Sequence, residues 1–170
     1  MKVTVIYGTD NGNTRNIAEQ VAAQMDGRVV EISTATKADF EECDLLVLGT
    51  PTSGYGDLQA DWESGMKVLT QVDFAGRPVA LFGLGDQITY ADTFADAMGE
   101  IYEVVTEKGA EVIGSTAKEG YDFFSSRALV EDVFVGLVVD EDNQSEMTEG
   151  RIAAWVTALK ERVPQLTTEG

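Results

Sequence analysis

A run of hydroxyl, amide and glycine residues follows the first apolar segment of the chain. It lies between the apolar run Val3–Tyr7 and a helical pattern, and it reads Thr9, Asp10, Asn11, Gly12, Asn13 and Thr14. Where a strand passes into a helix, backbone N–H groups and the positive end of the helix dipole point at one spot and attract anions. The run lacks the lysine of a Walker loop and the glycines of a dinucleotide fingerprint. It predicts a cradle for a phosphate monoester, and the alternative is an Asn-rich turn that caps a helix.

The composition indicates a chain the size of one domain. Its 170 residues are 44% hydrophobic, which is enough to bury a full core, so we expect a single domain over residues 1–170. The single cysteine, Cys43, excludes a disulfide framework, and no apolar run approaches the roughly 20 residues that span a bilayer. We expect no secretory signal before the first strand, and hence a cytoplasmic protein.

The charge of the chain is strongly negative. Twelve basic and thirty acidic residues give a formal net charge of −18. This charge opposes binding to nucleic acid and to anionic membranes, and it predicts basic protein partners. The alternative is an evenly solvated acidic surface that serves solubility or a salt-adapted source.

Short apolar runs rich in β-branched residues predict strands that are buried on both faces. They lie at Val3–Tyr7, 45–48, 79–82 and 134–139, and a shorter run at 29–32 is typical of an edge strand. The amphipathic stretches between them predict helices. Strand alternating with helix predicts a doubly wound parallel α/β sheet, with helices on both faces and a ligand site beyond the carboxyl ends of the strands. The irregular stretch 115–132 predicts an insertion before the final strand.

Two further polar loops come after the third and fourth predicted strands. They read Thr50, Pro51, Thr52, Ser53, Gly54, Tyr55, Gly56 and Asp57, and then Gly83, Leu84, Gly85, Asp86, Gln87, Ile88, Thr89 and Tyr90. Because the carboxyl ends of parallel strands share one edge, these loops and the phosphate loop converge on one crevice. Glycines let the backbone approach a flat ligand, and tyrosine rings can stack on it. Together the three loops predict a site for a phosphorylated planar heterocycle.

With these motifs the chain resembles the flavodoxins, specifically the long-chain kind, over essentially its whole length. The resemblance rests on the segments 9–14, 51–62, 83–92 and 140–145. It implies a five-stranded parallel sheet in the order 2-1-3-4-5, with the insertion at 115–132 interrupting the fifth strand. It also implies noncovalently bound FMN and a protein that carries one electron at low potential.

The resemblance assigns roles to individual residues. Residues Thr9, Asp10, Asn11, Gly12, Asn13 and Thr14 would hold the phosphate, and Thr52, Ser53, Gly54, Tyr55 and Gly56 would line one edge and face of the flavin. Tyr90 would stack on the outer face, and Gly85 and Asp86 would reach the pyrimidine edge. The remaining cofactor-binding candidates are Thr50, Pro51, Gly83, Leu84 and Gln87. Ser53 stands where long-chain members commonly have tryptophan, so either Tyr55 covers the inner face or that face is more open.

The carrier interpretation competes with an enzyme of the same cofactor. The chain has no histidine, and we expect neither catalytic residues nor a metal site. As a carrier, the protein would act as a monomer between a flavin-containing reductase and low-potential acceptor enzymes. The alternative is an FMN-dependent NAD(P)H or quinone reductase, which would need room above the flavin that Tyr90 is expected to close.

Overall fold

The fold is organised by one parallel sheet, and the computed structural model describes residues 2–8, 12–53 and 57–167 of the chain. Five strands form the main path of the sheet: β1 (Val3–Tyr7), β2 (Arg28–Glu31), β3 (Leu45–Ser53), β5 (Pro78–Leu84) and β10 (Leu137–Val139). Their order is β2-β1-β3-β5-β10, and all pairings along this path are parallel. A short strand, β4 (Asp57–Leu58), turns back antiparallel along the end of β3.

Helices cover both faces of the sheet. They are α1 (Asn13–Met25), α2 (Lys37–Glu41), α3 (Ala60–Leu69), α4 (Asp96–Glu107) and α5 (Thr148–Thr167), with 3-10 turns at Ile32–Thr34 and Ser145–Met147. One apolar layer packs α1 and α5 against the sheet, and a second packs α2, α3 and α4 on the opposite face. Within the described ranges, no helix is both long enough and apolar enough to cross a membrane.

The fifth position of the sheet is shared by two strands. Strand β6 (Glu111–Ile113) pairs with the first half of β5, and β10 pairs with the second half, from Phe82 to Leu84. Residues 114–136 leave the sheet between these two strands. The predicted order 2-1-3-4-5 with an interrupted fifth strand is therefore confirmed.

The insertion, residues 114–136, carries a small antiparallel sheet of its own. Its strands are β7 (Thr116–Ala117), β8 (Leu129–Val130) and β9 (Val133–Phe134), in the order β7-β9-β8. The prediction of one strand over 134–139 is wrong, because β9 pairs within the insertion and only β10 joins the main sheet. Both pieces are equally apolar, so their composition does not reveal the change of partner.

Two predicted loops are partly strand. The sequence places the third strand at 45–48, whereas β3 continues to Ser53 because Thr50 and Pro51 pair with Gly83 and Leu84 of β5. Gly83 and Leu84 are likewise strand residues, not loop residues. Parallel pairing thus extends both strands by several residues into segments that glycine, threonine and proline mark as turns.

The insertion is held tightly against α4. At Gly99, an added Cβ would lie 2.5 Å from both the carbonyl carbon and oxygen of Arg127. The buried carboxylate of Asp96 accepts a hydrogen bond from the Arg127 backbone N–H at 2.8 Å, and the Arg127 side chain pairs with Glu100 at 2.8 Å. Only glycine allows the two backbones to approach this closely.

Gly99→Ala is expected to destabilise the fold. The new methyl group would overlap backbone atoms of residues 127 and 128, which cannot move aside as a side-chain end can, and such overpacking costs roughly 1–3 kcal/mol. Gly150→Ala is the matched control, because Gly150 also lies in a helix but an added Cβ meets no atom within 4 Å. Alanine there should stabilise by up to about 1 kcal/mol. Urea unfolding measures both, and equal effects would contradict the close approach.

Candidate functional site

A cavity of about 310 Å³ opens at the carboxyl edge of the main sheet. It lies where β3, β5 and β10 end and α1 begins. Its walls are formed by Asn13, Pro51, Thr52, Leu84, Gly85, Asp86, Thr89, Tyr90, Glu141 and Asp142. Its size lies at the lower end of the range for pockets that hold small ligands, roughly 300–1,000 Å³.

The start of α1 forms one end of the site. The helix is preceded by Gly12 at φ 90°, a left-handed conformation that favours glycine, and its first turn contains no acidic residue. The Thr14 hydroxyl is completely buried and has no hydrogen-bond partner among the residues described. A buried, unsatisfied hydroxyl at the positive end of a helix fits an anion as its missing partner. The predicted contacts of Thr9, Asp10 and Asn11 fall outside the described residues.

The end of β3 forms a second wall. Pro51 and Thr52 border the cavity, and the Thr52 hydroxyl accepts a hydrogen bond from the Ala97 backbone N–H at 3.3 Å, which fixes it to the start of α4. Thr50 is fully buried behind this wall. The predicted contacts of Gly54, Tyr55 and Gly56 fall outside the described residues, and Ser53 ends the strand.

The segment 85–90, which we call the cofactor loop, forms the third wall around Asp86. The Asp86 carboxylate accepts hydrogen bonds from the backbone N–H groups of Ile88 at 3.1 Å and Thr89 at 2.9 Å. The Tyr90 N–H donates to the Asp86 carbonyl oxygen at 3.0 Å, so the chain turns and brings Tyr90 to the cavity. Burial raises the pKa of Asp86, but hydrogen bonds from Thr89 and Asn143 outweigh it, and the pKa lies below its ordinary value.

Not every candidate borders the cavity. Gly83 lies in β5 against Met98 of α4, where an added Cβ would come within 2.9 Å of the Met98 Cβ. The Gln87 side chain is buried at 1% exposure and bonds to Asp140 and to the insertion. Neither residue is among those that form the walls of the cavity. Seven of the candidates line the cavity together: Asn13, Pro51, Thr52, Leu84, Gly85, Asp86 and Tyr90.

Three residues of the wall were missed by sequence reasoning. Thr89 lies inside the cofactor loop, and Glu141 and Asp142 come after β10. The available signal was positional, because β10 is a parallel strand and its carboxyl end must reach the same edge as the other loops. Loss of solvent around the carboxyl group and the charges of Asp86, Asp140 and Glu141 raise the pKa of Asp142. The site is therefore a region of concentrated negative charge.

This fold and site define a class of protein, the doubly wound α/β proteins that bind a ligand at the carboxyl edge of the sheet. The model of the flavodoxin family matches residues 5–155. Flavodoxin of Synechocystis sp. is 44% identical over 163 residues, covering 94% of this chain and 96% of that protein. Flavodoxin 1 of Escherichia coli is 41% identical over 163 residues, covering 94% and 93%. The chain belongs to the flavodoxin family.

A solved structure gives the same result for the fold. A mutant of Fusobacterium nucleatum flavodoxin bound to flavin mononucleotide superposes with a TM-score of 0.90 at 30% identity, covering 95% of this chain and 96% of that one. The interrupted fifth strand agrees with the long-chain type of the family that the sequence resembles.

Asp142→Asn is expected to raise the free energy of unfolding of the apoprotein at pH 7. Because the folded state raises the pKa of Asp142, it binds this proton more tightly than the unfolded chain does. The contribution of this group is therefore present below the unfolded pKa and is lost as pH rises through the folded pKa. Urea unfolding should show a gap between variant and wild type that is absent below about pH 4 and grows toward pH 7.

The gap should stay below about 1 kcal/mol, because the residue is exposed and its interactions are screened by water and salt. It should shrink in high salt. Glu161→Gln, at an exposed position on α5, is the control and should leave the pH profile unchanged. A gap that is constant with pH would show that the pKa of Asp142 is the same in the folded and unfolded states.

Proposed function

We propose that the protein binds FMN noncovalently and carries electrons one at a time, at low potential, between redox proteins. The observation that carries the proposal is the buried Thr14 hydroxyl at the start of α1, which has no hydrogen-bond partner in the described part of the chain and lies at the same edge of the sheet as the cavity. An anion site next to a pocket with a tyrosine wall fits a phosphorylated flat ring. Membership of the flavodoxin family favours a carrier over the reductase alternative.

The phosphate would be held by the start of α1. The N–H groups of its first turn point beyond the N-terminal end of the helix, where the helix itself offers no acceptor. Gly12 has no side chain that could cap them. The Thr14 hydroxyl would donate to a phosphate oxygen, and the predicted contacts of residues 9–13 would complete the cradle. The absence of a lysine fits a site in which N–H and O–H donors, and not a full positive charge, hold the anion.

The ring would lie between the end of β3 and the cofactor loop. Thr52 and Leu84 offer one side of the cavity, and the ring of Tyr90 stands at another. Gly85 packs closely against the segment before α4, since an added Cβ would come within 2.9 Å of the Phe94 ring and 3.0 Å of the Ala95 nitrogen. These residues would orient the flavin and restrict water on one face.

The acidic wall, formed by Asp86, Glu141 and Asp142, would lower the reduction potential of the bound cofactor. FMN supplies one-electron chemistry when it is bound. Asp86, Glu141 and Asp142 surround its proposed site, so any negative charge added there is repelled, and a low-dielectric surrounding strengthens the repulsion. A tenfold change in a one-electron equilibrium corresponds to about 59 mV. Repulsion by several carboxylates would therefore lower the reduction potential of the cofactor substantially.

The same charges favour basic redox proteins as partners. The net charge of −18 and the carboxylates at the cavity mouth would attract a basic surface and guide it toward the cofactor. We propose that the protein meets such partners as a monomer.

A visible spectrum and a titration test the proposal. The purified protein should be yellow, and the apoprotein should bind one equivalent of FMN reversibly and much more tightly than riboflavin, because several charge-assisted hydrogen bonds depend on the phosphate. The holoprotein should not oxidise NADH or NADPH directly. Equal affinity for FMN and riboflavin would contradict the phosphate site.

Thr14→Val should weaken FMN binding about tenfold to a hundredfold while changing riboflavin binding little. The substitution keeps the volume and removes one hydrogen bond to a charged group, worth roughly 1.5–3 kcal/mol. Thr4→Val is the matched control, since Thr4 is equally buried but lies within β1. Fluorescence titration measures the affinity of each variant for FMN and for riboflavin, relative to wild type. An equal loss of affinity for FMN and riboflavin would contradict a contact between Thr14 and the phosphate.

Asp92→Lys should slow electron transfer to a basic c-type cytochrome several-fold at low salt, with the difference vanishing at high salt. Asp92 is exposed, and it lies two residues beyond the cofactor loop. Glu107→Lys changes the charge equally at the end of α4, at the opposite edge of the sheet, and should matter less. Stopped-flow kinetics at several ionic strengths measure both, and identical salt profiles would indicate an unoriented acidic surface.

A further inference from the structure

Gln87 differs from its neighbours in the cofactor loop. Its side chain is 1% exposed, whereas Ile88 beside it is 62% exposed. A buried glutamine needs partners for its carbonyl oxygen and its amide N–H groups, because an unsatisfied buried polar group is costly. The hydrogen-bond partners of Gln87 lie in two other parts of the chain.

The first partner is the carboxylate of Asp140, directly after β10. Both the backbone N–H and the side-chain Nε2 of Gln87 donate to Asp140 Oδ2, at 3.0 and 2.7 Å. Asp140 is itself completely buried, and its other oxygen accepts from the N–H groups of Asp142 and Asn143 at 3.1 and 3.0 Å. One buried carboxylate therefore holds two walls of the cavity together.

The second partner is the insertion. The carbonyl oxygen of the Gln87 side chain accepts a hydrogen bond from the backbone N–H of Asp122. Beyond that point, the N–H groups of Phe124 and Ser125 donate to the carbonyl oxygen of Ala91 at 2.8 and 3.0 Å. The segment 122–125 thus runs alongside the chain that leaves the cofactor loop.

Asn143 closes the network on the side of the cavity. Its amide Nδ2 donates to Asp140 at 2.9 Å and to Asp86 at 2.8 Å. Asp86 is the residue whose carboxylate shapes the turn that carries Thr89 and Tyr90. A displacement of Gln87 would therefore reach both the turn and the acidic wall through hydrogen bonds already in place.

We propose that Gln87 is a positioning residue, through which the insertion fixes the conformation of the cofactor loop. It does not border the cavity, and it acts by joining the insertion and Asp140 to the loop. Without its amide, the buried Asp140 carboxylate would lose a donor and the insertion would lose its side-chain link to the loop. The effect on FMN rests on the proposed function, while the effect on the loop does not.

The test compares Gln87→Met with Tyr121→Phe. Methionine keeps the length of the glutamine side chain and removes its hydrogen bonds. Tyr121→Phe also removes one hydrogen bond between the insertion and the rest of the fold, from the hydroxyl to the Val138 carbonyl oxygen at 2.5 Å, and the partner of this bond lies in β10 and not in the cofactor loop. The control therefore loosens the insertion next to Asp122 without breaking the link at Gln87.

Amide hydrogen exchange of the apoproteins gives the first measurement. In Gln87→Met, the N–H groups of Ile88, Thr89 and Tyr90 should exchange at least tenfold faster than in wild type, while those of β1 stay within twofold. In Tyr121→Phe the loop amides should be unchanged. Equal exchange in all three proteins, or a uniform increase throughout Gln87→Met, would overturn the proposal. If Gln87→Met does not fold, Gln87→Asn replaces it in the test. The asparagine side chain is too short to reach both partners, and the exchange rates of the same loop amides should rise by a smaller factor.

FMN titration gives the second measurement. Gln87→Met should raise the dissociation constant about tenfold and Tyr121→Phe less than twofold. An unchanged constant in Gln87→Met would also overturn the role in cofactor positioning. If wild type itself bound no FMN, the proposed function would fail while the exchange result would still decide whether Gln87 orders the loop.

Discussion

Parallel pairing in register is the interaction on which the rest of the structure depends. Tyr7, Gly49, Phe82 and Leu137 form one row across β1, β3, β5 and β10. A shared row with a shared direction means that the carboxyl ends of these four strands point to the same edge of the sheet, and every chain segment that leaves them starts at that edge. The cavity is a consequence of this alignment, because its walls are the segments by which the chain leaves these strands.

The sheet and its order could be predicted because their signals are local. A buried strand such as Val3–Tyr7 is apolar throughout most of its length, and the stripe of Ile152, Trp155 and Leu159 marks the buried side of α5. The strand limits were less accurate, because Thr50 and Pro51 pair with β5 in spite of their turn-like composition. The division of residues 134–139 between two sheets depends on distant partners, which no local pattern contains.

In the candidate site, too, some features could be predicted from the sequence and others could not. Residues of the predicted loops that border the cavity, such as Thr52 and Tyr90, are of types that suggest binding, and their position after apolar runs was enough to make them candidates. Gln87 has the same kind of neighbours but turns inward, because Asp140 and the Asp122 N–H lie far away in sequence and close in space. Sequence reasoning could assign a loop to the site, whereas the direction of each side chain depended on contacts made by the tertiary fold.

The divided fifth position of the sheet has a consequence for the order in which the molecule assembles. β6 pairs with β5 across a connection that contains α4, whereas the connection from β5 to β10 also includes residues 114–136. Closing a longer loop costs more chain entropy and slows the contacts that depend on it. Glu141 and Asp142 follow β10 and the buried Asp140, so we expect their part of the cavity wall to form late in folding, after the rest of the sheet edge.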